Sequence, residues 1–128
     1  MLLSLAQWLQ TLSVADVSNV DVTGVKDVDE WLERLYAAGH RPLATSGSSG
    51  KCSFLNHTAA DQEYKALHYK HATGWPFVRA EPNRALFWLG PIKGYNSAIE
   101  SAQIGRLNWG RAGAMYALTE EPLLISEV

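Results

Sequence analysis

The sequence predicts an α/β fold, a small three-layer-like domain with a mixed sheet and flanking helices that spans residues 1–128 as a single domain. Three observations carry this expectation. A length of 128 residues suits one domain, enough chain to bury roughly 65–70% of its unfolded surface. Helix-like and strand-like hydrophobic patterns are interleaved along the chain. The composition, 47% hydrophobic and 19% charged, is that of a globular protein rather than a disordered one.

The elements follow in order. Leu2, Leu5, Ala6, Leu9 and Leu12 recur at helical spacing and predict an amphipathic helix over residues 2–12. "SVADVSNVDVTGV" sets valines among Asp, Ser and Asn and reads as irregular chain with a short extended piece. Asp27 is positioned to cap a second helix, with Glu30 as its capping-box partner and Gly39 as its stop. Val28, Trp31, Leu32, Leu35 and Tyr36 form one face of that helix. "RPLAT" reads as a short strand because Pro42 excludes a continuing helix, and "KCSFLNH" reads as the next strand. Thr58 is placed to cap a helix over 59–72, with Ala60, Tyr64, Leu67 and His71 on one face and Gly74 and Pro76 ending it. In "PFVRAEPNRALFWLG" the run "RALFWLG" suits a buried strand, being continuously apolar between Arg84 and Gly90-Pro91. A last helix is expected over 97–109, and "GAMYALTEEPLLISEV" ends the chain with a strand-like run.

The net charge of −2 is unevenly distributed. The first 33 residues carry six acids against Lys26 alone, whereas residues 34–111 carry ten Lys or Arg against Asp61, Glu63, Glu81 and Glu100. That middle stretch favours an anionic ligand. With no basic run of five or more, nucleic acid is not an expected partner. A single cysteine, Cys52, excludes an internal disulfide and a cysteine-built zinc site, and makes a reducing, cytoplasmic compartment the simpler expectation. The apolar start "MLLSLAQWLQTL" has no basic n-region, and no run approaches the ~18 apolar residues of a membrane helix, so no membrane association is expected.

One stretch stands apart: "LATSGSSGKCSF", a glycine- and hydroxyl-rich loop between the two short strands, ending on a lysine. It predicts a strand-loop-strand phosphate hairpin over 43–56. In Thr45, Ser46, Gly47, Ser48, Ser49, Gly50 and Lys51, the glycines let backbone N–H groups turn inward without a Cβ penalty. The hydroxyls rotate to donate, and Lys51 adds a point charge. A Walker A loop would need Gly at 45 and Ser or Thr at 52, where Thr45 and Cys52 stand.

Over "LATSGSSGKCSFLNHTAADQE" the chain resembles the phosphate-binding loop of the adenylate-forming (AMP-dependent synthetase and ligase) superfamily, roughly [ST]-[ST]-G-[ST]-[ST]-G-K. It is most similar there to the phenylacetate-CoA ligase and acyl-protein synthetase-like branch, which Ser53 fits and from which Cys52 departs. The resemblance implies a loop that grips the β and γ phosphates of ATP, with Mg²⁺ sharing the charge, while a carboxylic acid substrate attacks the α phosphorus to give an acyl-adenylate and pyrophosphate. By position, Ser46, Ser48 and Ser49 would donate hydroxyls, Gly47 and Gly50 would shape the loop, and Lys51 would supply charge. "YALTEEP" lacks the glycine and surroundings of the superfamily's adenine and magnesium segment, and its hinge and C-terminal lysine domain have no counterpart here. The expectation is an N-terminal fragment, incomplete for catalysis alone, that needs a partner chain or binds nucleotide only. The alternative is a non-catalytic interaction or structural α/β domain whose Gly/Ser loop is a simple hairpin.

Other chemistry-bearing residues read more plainly. His68 and His71, three apart on the third helix near Asp61 and Glu63, lack a third ligand at metal-binding spacing and read as a half-buried helix face. His57 with Ser46 or Ser53 has neither a G-x-S-x-G elbow nor an orienting acid. Cys52 beside Lys51 reads as a small inert strand residue rather than a thiolate. Of the five tryptophans, Trp8 and Trp31 belong to amphipathic faces and Trp88 to the most apolar strand. In a fragment, apolar patches would remain for a partner or a homo-oligomer to cover.

Overall fold

The computed structural model describes residues 2–45, 51–72 and 79–127. The chain runs α1 (Leu2–Leu12), α2 (Val28–Ala37), β1 (His40–Ala44), β2 (Phe54–Thr58), α3 (Ala59–Ala72), β3 (Ala85–Gly94), α4 (Ser97–Ala112), β4 (Ala114–Leu123) and a terminal 3-10 turn (Ile125–Glu127). The α/β class holds, but the expected mixed sheet is instead two two-stranded sheets, β1-β2 and β3-β4. The free edge of β1 explains part of the difference. Ala44 donates its N–H to the Tyr95 carbonyl at 2.7 Å and bridges in parallel to Asn96, so the segment after β3 lies along β1 where a third strand would sit. The expected stop signals Gly74 and Pro76, and Trp75, lie outside the described residues.

Two compact units emerge: Met1–Ala59 with Tyr95–Ser97 and Leu124–Val128, and Ala60–Gly94 with Ala98–Leu123. The first is built around α2. Asp27 takes the extended N-cap conformation and its carboxylate accepts from the Glu30 N–H at 2.9 Å. Glu30 reaches back one residue further than a standard capping box, to the Lys26 N–H at 3.1 Å. At the other end Gly39 takes φ +95°, a left-handed stop that costs a side-chain residue strain. Between these ends α2 buries Trp31, Leu32 and Leu35 against Leu9 of α1, Val17, Ala44, Phe54 and Ile125. Trp31 meets Phe54 edge-on at 5.4 Å. Removing one such leucine would cost ~2–5 kcal/mol. Trp8, expected on the buried face of α1, is exposed, and Tyr36 of α2 instead lies under the Arg41 guanidinium at 4.3 Å.

The valine-rich stretch after α1 is irregular, as expected, and forms no strand. Asp16 and Asp21 each accept the N–H two residues on, from Ser18 and Thr23, which holds the turns while Val17 is buried and Val20, Val22 and Val25 pack on the core. The chain end returns to α2, where the two oxygens of Asp29 accept from the N–H groups of Ile125 (2.7 Å) and Ser126 (3.0 Å).

The second unit holds α3 and a β3-α4-β4 crossover whose strands pair in parallel, Ala85 opposite Ala114 through Trp88 opposite Ala117, then shifting register around Pro91. Pro91 and Pro122 have no N–H to give a ladder, which is why the pairing breaks there. Gln103 of α4 donates across the ends of β3 to the carbonyls of Ile92 and Gly94. Ala66, Ile92, Ile99, Ala102 and Ile104 are buried here. The α3 bounds match the expected helix, but its expected apolar face is out in solvent: Tyr64, Leu67 and His71 are exposed, and Ala66 is the buried position. The reason is the partner. Asn108 of α4 donates to the Ala66 carbonyl at 2.9 Å, and the ion pairs Lys65–Glu100 and Glu63–Arg111 draw that side of α3 inward.

Candidate functional site

The first unit carries the flanks of the Gly/Ser loop. β1 and β2 pair antiparallel with His40 opposite Thr58 and Ala44 opposite Phe54. Beyond Ala44–Phe54 the two chains stay joined. The Thr45 N–H donates to the Ser53 carbonyl at 2.8 Å, and the Thr45 hydroxyl accepts from the Ser53 N–H at 3.0 Å. Thr45 therefore serves the neck of the loop through its backbone and side chain alike. Its hydroxyl oxygen, a two-lone-pair acceptor, has one lone pair committed to Ser53. Ser46, Gly47, Ser48, Ser49 and Gly50 lie outside the described residues.

On the far side, Lys51 is exposed and makes no hydrogen bond or ion pair among the described residues. An exposed ammonium with no partner among the described residues is the kind of group that attracts an anion. Cys52 turns the other way and packs, half-buried, against the core of the unit. The next strand begins at Phe54, whose ring is fixed by Trp31, so the neck is anchored from beneath by apolar packing and above by the Thr45–Ser53 pair.

In the β1-β2 pair, His40 and Asn56 form a polar contact that sequence reasoning did not single out. His40 is buried, and its Nδ1 lies 3.2 Å from Asn56 Nδ2. Arg41 and His57 occupy opposite positions in the same ladder. The polar residues of "HRP" and "LNHT", set in two short strand-like segments, were the available signal.

The second unit contains a groove of about 880 Å³. Leu86 and Trp88 from β3, Trp109 from α4, and Tyr64 and Leu67 from α3 give it apolar and aromatic walls. Its rim is charged. Arg111 holds Glu63 in a two-point contact at 2.8 and 3.1 Å, and that hydrogen-bonded guanidinium keeps the Glu63 carboxyl below its ordinary range. Lys70, also at the rim, has no ion pair among the described residues. Grooves of this size and mixed lining suit small organic molecules. The sequence hid it because Tyr64 and Leu67 read as a core-facing stripe. His68 stands edge-on to Tyr69 at 6.2 Å, and no group of three His, Cys, Asp or Glu able to hold a metal ion occurs among the described residues. No described helix is long and apolar enough to cross a membrane.

Compared with family models, curated proteins and solved structures, the chain matches none.

Proposed function

We propose that this chain is a partial adenylate-forming, acyl-CoA ligase-like domain whose loop from Thr45 to Lys51 binds the phosphates of ATP with Mg²⁺, and that it is incomplete for catalysis alone. The observation that carries this is the pinned neck with a free cation beside it. Thr45 and Ser53 close a β1-β2 hairpin in which the loop residues lead directly to Lys51, and α3 follows β2 without an intervening residue. By its sequence the loop holds glycines, hydroxyl residues and one lysine, the ingredients of phosphate binding. Catalysis in this class would rest on electrostatic stabilisation of the phosphates while a carboxylate attacks, so a bound but incomplete loop holds nucleotide without turning it over.

ATP–pyrophosphate exchange over a panel of carboxylates tests the catalytic half of the proposal. The chain alone is expected to show no exchange, and exchange is expected on adding a chain that carries the adenine, magnesium and lysine segments. Exchange by the chain alone contradicts incompleteness, and no exchange with any such partner removes the enzyme.

A second reading has its own support. Thr45 bonding Ser53 and Cys52 packing on the core are what a plain structural hairpin also needs, so the chain would then be a non-catalytic interaction domain.

A further inference from the structure

Parallel strands are ordinarily covered on both faces. β3 and β4 are covered on one. Leu86 and Met115 pack toward α4, where they lie within 3.8 Å of the space above Gly105. The alternate positions, Phe87 and Leu89 on β3 and Tyr116 and Leu118 on β4, are 68%, 87%, 56% and 73% exposed. Phe87 sits opposite Tyr116 in the ladder, and the two rings stack at 5.3 Å and 22°. Four large apolar side chains thus form one continuous patch, and none of the four carries a charge.

With an aromatic side chain offering roughly 150–250 Å², these exposures leave on the order of 500–600 Å² of apolar surface. That is the upper end of the largest patch a typical monomer shows, about 300–600 Å². It is also most of the ~800 Å² each partner contributes to a standard stable interface.

We propose that this face is the interface of a homodimer, in which a second copy packs the same four side chains against it about a two-fold axis. Three features favour a second copy over a different partner. A two-fold contact needs a self-complementary patch, and an uncharged one opposes no like charges at its centre. The nearby charges are engaged within the unit, Lys93 and Arg106 both pairing with Glu120. Sheet-on-sheet packing gives each β3-β4 pair the second cover that parallel strands require, with α4 remaining on its outer side. The proposal does not rest on the nucleotide reading, since it concerns the second unit alone.

Sedimentation equilibrium of the full chain across roughly 1–100 μM tests it, a range that brackets a dissociation constant near micromolar. The wild type is expected to reach the mass of two chains. Leu89→Lys and Leu118→Lys are each expected to weaken the dimer at least ~10-fold, because every substitution enters a two-fold interface twice. Val14→Lys, at an exposed site in the first unit, should leave it unchanged. Leu118→Thr, a polar strand former, repeats the test should a lysine variant fail to fold. A wild type that stays monomeric throughout means another occupant covers the face and overturns the proposal. A dimer that survives both Leu118 variants and Leu89→Lys places the interface elsewhere and overturns it equally.

Discussion

Asp29, in the first turn of α2, is buried and yet carries the hydrogen bonds that tie down the chain end. Burial raises its pKa, but the Ser126 side chain and the Ile125 and Ser126 N–H groups outweigh that and leave the carboxyl below its ordinary value. A carboxylate with a depressed folded pKa contributes stability that is fully present above the unfolded value, about 3.9, and is lost as pH falls through the folded one. Urea unfolding followed from pH ~7 down to pH ~2 should therefore show an acid-sensitive limb. Asp29→Asn should flatten that limb and lose ~1–3 kcal/mol near neutral pH, where the buried Ile125 N–H and the part-buried Ser126 N–H lose a charged acceptor. At this scale the sequence was legible where partners are local and silent where they are distant. Asp27 was readable as a cap because its acceptor role spans three residues, whereas Asp29 bonds an N–H 96 residues away. Lys51 could be singled out because its loop is punctuated by glycines, but the Thr45–Ser53 clasp beside it pairs residues eight apart and left no pattern.

Among the elements, β3 and β4 meet most closely at Gly94. It takes φ +123°, and a Cβ there would lie 2.5 Å from the Leu123 carbonyl and 3.2 Å from Ile99. Gly94→Ala combines backbone strain with a main-chain clash that no rotamer relieves, so a loss of at least ~2 kcal/mol is expected. A thermal melt compared with Gly110→Ala, where nothing lies within 4 Å, separates that clash from ordinary glycine replacement. Periodicity and punctuation located the helices well: 59–72 for α3 and 2–12 for α1 match the observed bounds. Which face of α3 is buried did not follow, because Asn108, Glu100 and Arg111 of α4 decide it by polar contacts rather than by apolar matching. The strands were legible and their pairing was not. Composition marks "LFWL" as strand, but only long-range geometry sets β1 beside Tyr95–Asn96.

For the whole molecule, two proposals reach beyond the chain itself: an anion at the Gly/Ser loop and a second copy over the exposed Phe87, Leu89, Tyr116 and Leu118 of β3-β4. The run "RALFWLG" read as a buried strand, whereas Phe87 and Leu89 are exposed, and the proposed second copy is what would bury them. A continuous apolar run cannot distinguish burial within a chain from burial between chains. The loop is the more consequential feature, because the proposed nucleotide binding rests on it. Calorimetric titration of ATP·Mg²⁺ into wild type and Lys51→Ala tests it most directly. The expected result is binding by the wild type that pyrophosphate competes away and AMP does not, weakened ~10–100-fold in Lys51→Ala by loss of one charge-assisted contact. The exposed Lys51 has no partner among the described residues, so the variant should keep wild-type stability within ~0.5 kcal/mol. No heat in either protein, or equal affinity in both, would contradict a phosphate-binding loop and leave the hairpin a structural connection.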